Sequence, residues 1–200
     1  MGELLLVRHG ETEWTLARRH TSYTDLPLTA NGEEQARAVA AVLARHTITL
    51  TLTSPLQRAR RTAELAGLRH AQIEPNLHEW DYGGYEGLTS SDIRSRRPGW
   101  TLWTDGVATG PDHHRGETPQ QVGARADRVL ARIRPLLDDS APGDVVLVAH
   151  GHLLRVLTAR WLGLAADGGR YFRLDTGTLS LLGTEHGEPV INRWNIPAWS

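Results

Sequence analysis

The chain of 200 residues contains no cysteine, which excludes disulfides, thiolate zinc sites and a cysteine nucleophile. Lysine is absent too, and all 22 basic residues are arginine. A Walker-type phosphate loop and a Schiff-base enzyme both need lysine, so both are excluded. Nowhere do two aspartates stand one residue apart, the spacing on which aspartyl-phosphate phosphatases depend. Long apolar runs are missing as well. The first, Leu4 to Val7, is four residues long and lies between Glu3 and Arg8, which suits neither a signal peptide nor a membrane span. No block of basic residues marks a face for nucleic acid or for an anionic membrane, so neither partner is expected. If a covalent intermediate forms on this chain, histidine is the best nucleophile left.

What is present is ordinary in bulk: 40% apolar residues and a formal charge of −1. These values predict one soluble domain over residues 1–200, with the cytoplasm as the default location. The sequence leaves oligomeric state open, a homodimer included. Strand and helix patterns alternate, which predicts a three-layer α/β/α sandwich on a mostly parallel sheet. Strands are expected at Leu4–Val7, Ile48–Thr53 and Asp144–Ala149, with a final pair at Thr178–Leu182 and Pro189–Trp194. Helices are expected at Glu33–Arg45, from Thr118 to about Asp138, and at Leu153–Leu164. Thr12 to Asp25 reads as a polar surface segment and Pro27 to Asn31 as a turn. At Ser54-Pro55-Leu56-Gln57 the pattern predicts a helix start, with Ser54 as cap and Gln57 completing a capping box. Residues 76–116, rich in glycine, tryptophan and turn formers, read as an irregular excursion over the sheet edge, the usual home of a lid or substrate wall.

One device occurs twice. The strands at 4–7 and 145–149 each hand over to a histidine followed by glycine, His9-Gly10 and His150-Gly151. Arg8 stands beside the first histidine, and Arg58 falls in the first turn of the helix after the middle strand, near exposed amides. In a parallel sheet these four residues converge at one edge, where two arginine forks and two histidines surround a point suited to a dianion. Such a site would stabilise a transferring phosphoryl group. A proton donor for the leaving oxygen is also needed. Glu79, Asp81 and Glu86 are the candidates, in a stretch where Trp80, Tyr82 and Tyr85 would desolvate a carboxyl and raise its pKa. Spacing alone does not choose among them.

The chain resembles the histidine phosphatase superfamily, also called phosphoglycerate mutase-like, in its branch of cofactor-independent phosphatases. The resemblance rests on Arg8-His9-Gly10-Glu11-Thr12, Asp25-Leu26-Pro27-Leu28-Thr29, Ser54-Pro55-Leu56-Gln57-Arg58-Ala59, Glu79-Trp80-Asp81-Tyr82-Gly83, Glu86-Gly87-Leu88, Gly116-Glu117-Thr118 and His150-Gly151-His152, in the family's order and spacing. It implies a metal-independent phosphatase, without cofactor, that acts on small soluble phosphate monoesters through a phosphohistidine intermediate. His9 would be the nucleophile; Arg8, Arg58 and a protonated His150 would hold the phosphoryl group; Glu79 would be the acid and then the base. Gly151 and His152 would lie beside the pocket, and Tyr82 is a candidate substrate contact.

Departures from the family's pattern bear on the substrate. Thr15 stands where the family commonly has a phosphate-binding asparagine, and its hydroxyl would donate one hydrogen bond. Thr21-Ser22 replaces the threonine-glycine found in many members, which would narrow the pocket or add a donor. Ser90 after Gly87-Leu88-Thr89, and Thr104-Asp105 after Trp103, replace the lysine and arginine pair that grip the substrate in mutases, which argues against phosphoglycerate mutase-type transfer. A non-catalytic phospholigand-binding module is the remaining alternative, against which stand both His9 and Glu79.

Several residues are read as bystanders. His113-His114 beside Asp112 is not expected to form a metal site. His20, His46, His70, His78 and His186 are expected to be surface or structural, and Arg94, Arg96 and Arg97 a solvated face. Trp80, Trp100 and Trp103 are candidates for the substrate wall, Trp161 for helix core.

Overall fold

The computed structural model describes residues 2–137 and 143–198. Six strands form one sheet: β1 (Leu4–Arg8), β2 (Ile48–Thr53), β3 (Gln72–Ile73), β4 (Asp144–Ala149), β5 (Thr178–Glu185) and β6 (Glu188–Pro197), in the order β3-β2-β4-β1-β5-β6. The pairs β3–β2, β2–β4 and β4–β1 are parallel, whereas β1–β5 and β5–β6 are antiparallel. The principal helices are α2 (Ala30–Leu43), α3 (Gln57–Leu65), α6 (Pro119–Ile133) and α7 (Gly151–Trp161); α1 (Glu13–Leu16), α4 (Ser90–Arg96) and α5 (Leu102–Asp105) are short.

Strand alternation builds the three layers. Leu4 and Leu6 of β1, with Val145, Leu147 and Ala149 of β4, face a core shared with α6 and α7. Their neighbours Leu5, Val7, Val146 and Val148 face a second core closed by Val39 and Leu43 of α2 and by Ala59 and Ala63 of α3. The central strands are covered on both faces, which is why they read as continuous apolar runs. The expected α/β/α sandwich is what forms, and no helix among the described residues is long and apolar enough to cross a membrane.

Boundaries depart from expectation where partners come from far along the chain. Helix α2 begins at Ala30 because the Thr29 hydroxyl accepts from the Gly32 amide at 3.0 Å. Helix α3 is not capped by Ser54 as expected. Asp25 accepts from the Gln57 amide at 2.8 Å and takes that place, whereas the Ser54 hydroxyl accepts from the Leu56 amide at 3.3 Å. Helix α7 starts two residues earlier than expected, directly on β4, and ends before Gly163, which adopts φ +74°. Helix α6 keeps its Thr118–Gln121 capping box and gives way at Arg134 to a single turn containing Pro135; the expected end at Asp138 lies outside the described residues. Excursion 76–116 contains α4 and α5 yet contributes Trp80, Tyr82, Trp100 and Leu102 to the core on the α6/α7 face.

Candidate active site

The parallel register of β1 and β4 pairs Arg8 with Ala149, so the next residues, His9 and His150, emerge at the same level. A further ladder bond, His9 amide to Ala149 carbonyl at 3.0 Å, holds them there, and the two rings meet edge to face with centroids 5.0 Å apart. Gly10 is needed at this exit: a Cβ there would stand 2.2 Å from the Gly32 carbonyl oxygen. His9 Nδ1 lies 2.8 Å from its neighbour's carbonyl, Gly10 O, and so must carry the proton, which leaves the Nε2 lone pair without a protein partner. Burial first, then the charges of Arg58 and Arg8, holds His9 well below the usual imidazole range. The ring is therefore neutral, the state in which Nε2 can attack.

Arg8 packs its guanidinium on Gly151, where a Cβ would stand 3.1 Å from Cζ. Its Nη1 donates to the Leu174 carbonyl, and its buried Nε has no hydrogen-bond partner among the described residues. An orphaned buried donor on an arginine is costly unless a ligand completes it. Arg58 is fully buried and stands one layer behind. Its Nε donates to His150 Nδ1 at 3.2 Å, and its Nη atoms donate to the carbonyls of Thr21, Ser22 and Thr24. Since arginine only donates, His150 accepts on Nδ1, and its Nε2–H donates to the Ser54 hydroxyl at 2.7 Å. His150 is therefore neutral rather than protonated as expected. Burial, followed by the nearby Arg58 charge, holds it well below the ordinary imidazole range.

The cavity in front of His9 has a volume of about 580 Å³, and Arg8, Glu79, Tyr82, Gly151 and His152 are on its wall. Arg58 and His150, expected to grip the phosphoryl group directly, are not on that wall. The three acid candidates separate cleanly. Glu86 accepts from the Ser22 and Thr24 amides and clips that segment in place. Asp81 accepts from the Gly83 amide and pairs with His114. Only Glu79 reaches the cavity. Its Oε1 accepts from the amides of Trp80 at 2.9 Å and Leu153 at 2.8 Å; its Oε2 accepts from the His152 amide at 3.0 Å. The first turn of α7 thus seats the carboxyl, where an aromatic wall was expected.

Among the expected substrate contacts, Tyr82, Gly151, His152, Thr15 and Thr21 line the cavity, whereas Ser22 does not. Thr15 is not free to donate outward: its hydroxyl proton goes to the Thr12 carbonyl at 2.9 Å in the capping box of α1. The Thr21 hydroxyl likewise donates to the Arg19 carbonyl. Burial pushes the Tyr82 hydroxyl well above its usual value and His152 well below, so Tyr82 donates to His152 Nδ1 at 2.7 Å. Trp80 and Trp100 are core residues with 0% and 2% exposure and not substrate wall; no tryptophan among the described residues lines this cavity. Trp161 is buried as expected, and Arg97 pairs with Asp105.

Residues 12–25 are largely the surface segment that their polarity suggested, but Thr12 and the stretch His20, Thr21 and Ser22 are buried. His20, expected to be surface or structural, is 9% exposed, lines the cavity and stands edge-on to Tyr82 at 4.8 Å. Arg18, Arg19, Arg155 and the segment Arg173–Thr176 also line the cavity without having been singled out. For Arg155 a signal existed, since it lies one helical turn after Gly151 on the same face of α7. Arg125 was missed too. It sits on the core face of α6, and its five hydrogen bonds hold both Glu117 oxygens and the carbonyls of Asn76, His78 and Glu79. Among the described residues no cluster of three metal-ligating side chains forms.

Residues 4–197 match the model of the histidine phosphatase superfamily, branch 1. The chain is 39% identical over 186 residues to an acid phosphatase of Mycobacterium tuberculosis, a match covering 92% of this chain and 87% of that one. It is 37% identical over 193 residues to the sedoheptulose 1,7-bisphosphatase of Saccharomyces cerevisiae, covering 82% and 68%. The solved structure of a Mycobacterium tuberculosis open reading frame superposes with a TM-score of 0.90 at 36% identity, over 98% of each chain. With the sheet order, the histidine pair and these relatives in agreement, the chain belongs to the histidine phosphatase superfamily, and its activity is that of a phosphoric monoester hydrolase.

Proposed function

We propose that the protein hydrolyses small soluble phosphate monoesters, of the size of sugar phosphates, in two steps through phospho-His9. One observation carries this reading: the Nδ1–H of His9 is committed to the Gly10 carbonyl, so a neutral ring keeps its Nε2 lone pair for attack in a cavity that Arg8 and Glu79 also line. In the first step the Nε2 lone pair forms a bond to phosphorus as the ester P–O bond breaks, and protonated Glu79 gives its proton to the leaving oxygen. Oε2, which takes a single amide bond, is the oxygen with room for that proton. In the second step Glu79 takes a proton from water, the hydroxide oxygen bonds to phosphorus, and the P–N bond breaks to release phosphate and neutral His9. Arg8 stabilises the phosphoryl oxygens from the cavity wall. Arg58 does so by its charge from behind, while it holds the His150 ring that packs against His9. The similarity to an acid phosphatase and to a sugar bisphosphatase supports a small soluble substrate.

The test is phosphate release from a panel of phosphate esters in the presence of EDTA, by wild type and His9→Ala side by side. Activity that survives chelation and vanishes with His9 supports the reading. Appreciable turnover by His9→Ala contradicts it.

A further inference from the structure

The Arg8 guanidinium is held by one hydrogen bond. Its Nη1 donates to the Leu174 carbonyl, and the group has no other hydrogen-bond partner among the described residues. A forked grip on phosphate needs the guanidinium placed to within about 0.5 Å, so whatever fixes Leu174 fixes the fork. Leu174 lies in the irregular segment before β5, outside any ladder. The residues on either side of it are both held from β6. The Trp194 Nε1–H donates to the Arg173 carbonyl, and the Trp194 ring packs on Phe172 with centroids 5.4 Å apart. Asn195 closes a clasp on Asp175: its Oδ1 accepts from the Asp175 amide at 2.7 Å, and its Nδ2 donates to Asp175 Oδ2 at 2.9 Å. Beyond the clasp, the Thr178 hydroxyl donates to the Asp175 carbonyl at 2.7 Å. The Gly177 amide donates to the carbonyls of Arg8 at 3.1 Å and His9 at 3.0 Å, which ties the segment to the end of β1.

Trp194 and Asn195 reach this segment because β6 bulges there. Leu179 pairs with Ile196 and Leu181 with Arg193, so Trp194 and Asn195 together stand opposite Ser180. The extra residue breaks the regular alternation and re-aims side chains, as bulges beside active sites do. Asn195 takes φ +55°, in the left-handed region that asparagine tolerates better than most residues, and its amide donates to the Ser180 hydroxyl at 2.9 Å. Such a backbone persists where its surroundings over-determine it. Here those surroundings include the clasp itself. Asp175 is on the cavity wall, yet both its oxygens are spent, Oδ2 on Asn195 and Oδ1 on Arg173. We propose that Trp194 and Asn195 are positioning residues for Arg8: the bulge of β6 fixes the Leu174 carbonyl and, through it, the arginine fork at the phosphoryl site. The proposal rests on the phosphatase reading and extends its machinery to the edge strand of the sheet.

Asn195→Gly is the first variant, because glycine keeps the left-handed backbone and removes the clasp. The readout is kcat/KM on nitrophenyl phosphate, whose acidic leaving group needs little help from Glu79. It is measured with Arg8 intact and again in Arg8→Gln. With Arg8 intact, Asn195→Gly lowers kcat/KM by about tenfold to a hundredfold, the scale of a misplaced binding group. In Arg8→Gln it costs about twofold or less, since the side chain that it positions is already gone. A merely structural role would cost the same factor in both backgrounds. If Asn195→Gly does not fold, the same cycle is run with Trp194→Phe, which keeps the aromatic ring and removes one hydrogen bond. A smaller loss, again confined to the background with Arg8 intact, is then expected. Unchanged kcat/KM with Arg8 intact, or an equal factor in both backgrounds, overturns the proposal and leaves the phosphatase reading standing. Failure of wild type to release phosphate from any ester overturns the phosphatase reading instead. Calorimetric affinities for inorganic phosphate, measured over the same cycle, then decide the role of the clasp without turnover.

Discussion

The active site is assembled from two halves built on different physics. One half is the ends of β1 and β4, which carry Arg8, His9 and His150 on ladder hydrogen bonds between two apolar cores, with the first turn of α3, which carries Arg58. The other is the irregular excursion that carries Glu79 and Tyr82; it adds Trp80, Trp100 and Leu102 to one apolar core, but the turn around Glu79 is held by buried polar groups. Arg125, with its side chain 7% exposed, binds Glu117 and the carbonyls of Asn76, His78 and Glu79. The first half is held by burial spread over many residues. In the second, the turn around Glu79 leans on one charged hub, so one substitution there can displace the acid without touching the nucleophile.

This contrast can be sharpened in order of effect. Glu79→Gln lowers turnover by about a hundredfold to ten-thousandfold on esters of alcohols, and far less on esters whose leaving group is already acidic. An equal loss across a leaving-group series would remove Glu79 from the role of acid. Arg58→Ala loses at least roughly a hundredfold in kcat/KM, the scale of losing a preorganised charge donor. It also leaves His150 Nδ1 and three carbonyls without their donor. Arg125→Ala breaks the buried pair with Glu117, a loss of about 3–5 kcal/mol that lowers Tm by roughly 10 °C. Its turnover falls with kcat more than with KM, because the acid moves while the phosphoryl-binding half stays. Unchanged Tm in a scanning calorimeter would contradict the hub.

A further effect, spread over both halves, is on stability against pH. His9, His20, His150 and His152 are all held below the ordinary value of 6.5, chiefly by burial. Below that value the unfolded chain takes up protons that the folded chain refuses. Stability is therefore complete above about pH 6.5 and falls as pH drops below it, by up to about 1.4 kcal/mol per pH unit for each such histidine. Urea midpoints measured from about pH 7.5 down to about pH 5 should decline; a flat or rising midpoint would contradict the neutral, buried histidines.

The same division decides what was legible in the sequence. Strands β2 and β4 fall where the apolar pattern predicts, and β1 is extended only by Arg8, because continuous burial leaves a continuous signal. The convergence of His9 and His150 followed from strand ends and parallel pairing alone. The second half was obscure because its polar residues are satisfied at a distance. Ser22 and Thr24 lean on Glu86, Gln57 leans on Asp25, and Glu79 leans on the first turn of α7. No local pattern announces such partners, so the burial of His20, Thr21 and Ser22 did not show and Trp80 and Trp100 read as substrate wall. Thr15 illustrates the same limit: its hydroxyl was free on paper, yet it closes a capping box with Thr12.

The central claim is that His9 Nε2 carries the phosphoryl group between the two steps. The most direct measurement is rapid acid-free quenching of wild type and His9→Ala during turnover of a readily cleaved phosphate ester, followed by peptide mapping of the trapped enzyme. The account predicts an acid-labile, alkali-stable phosphoryl group on the peptide containing His9 in wild type, and none in His9→Ala. Full turnover with no phosphoenzyme at any quench time, or the label on another residue, would contradict it.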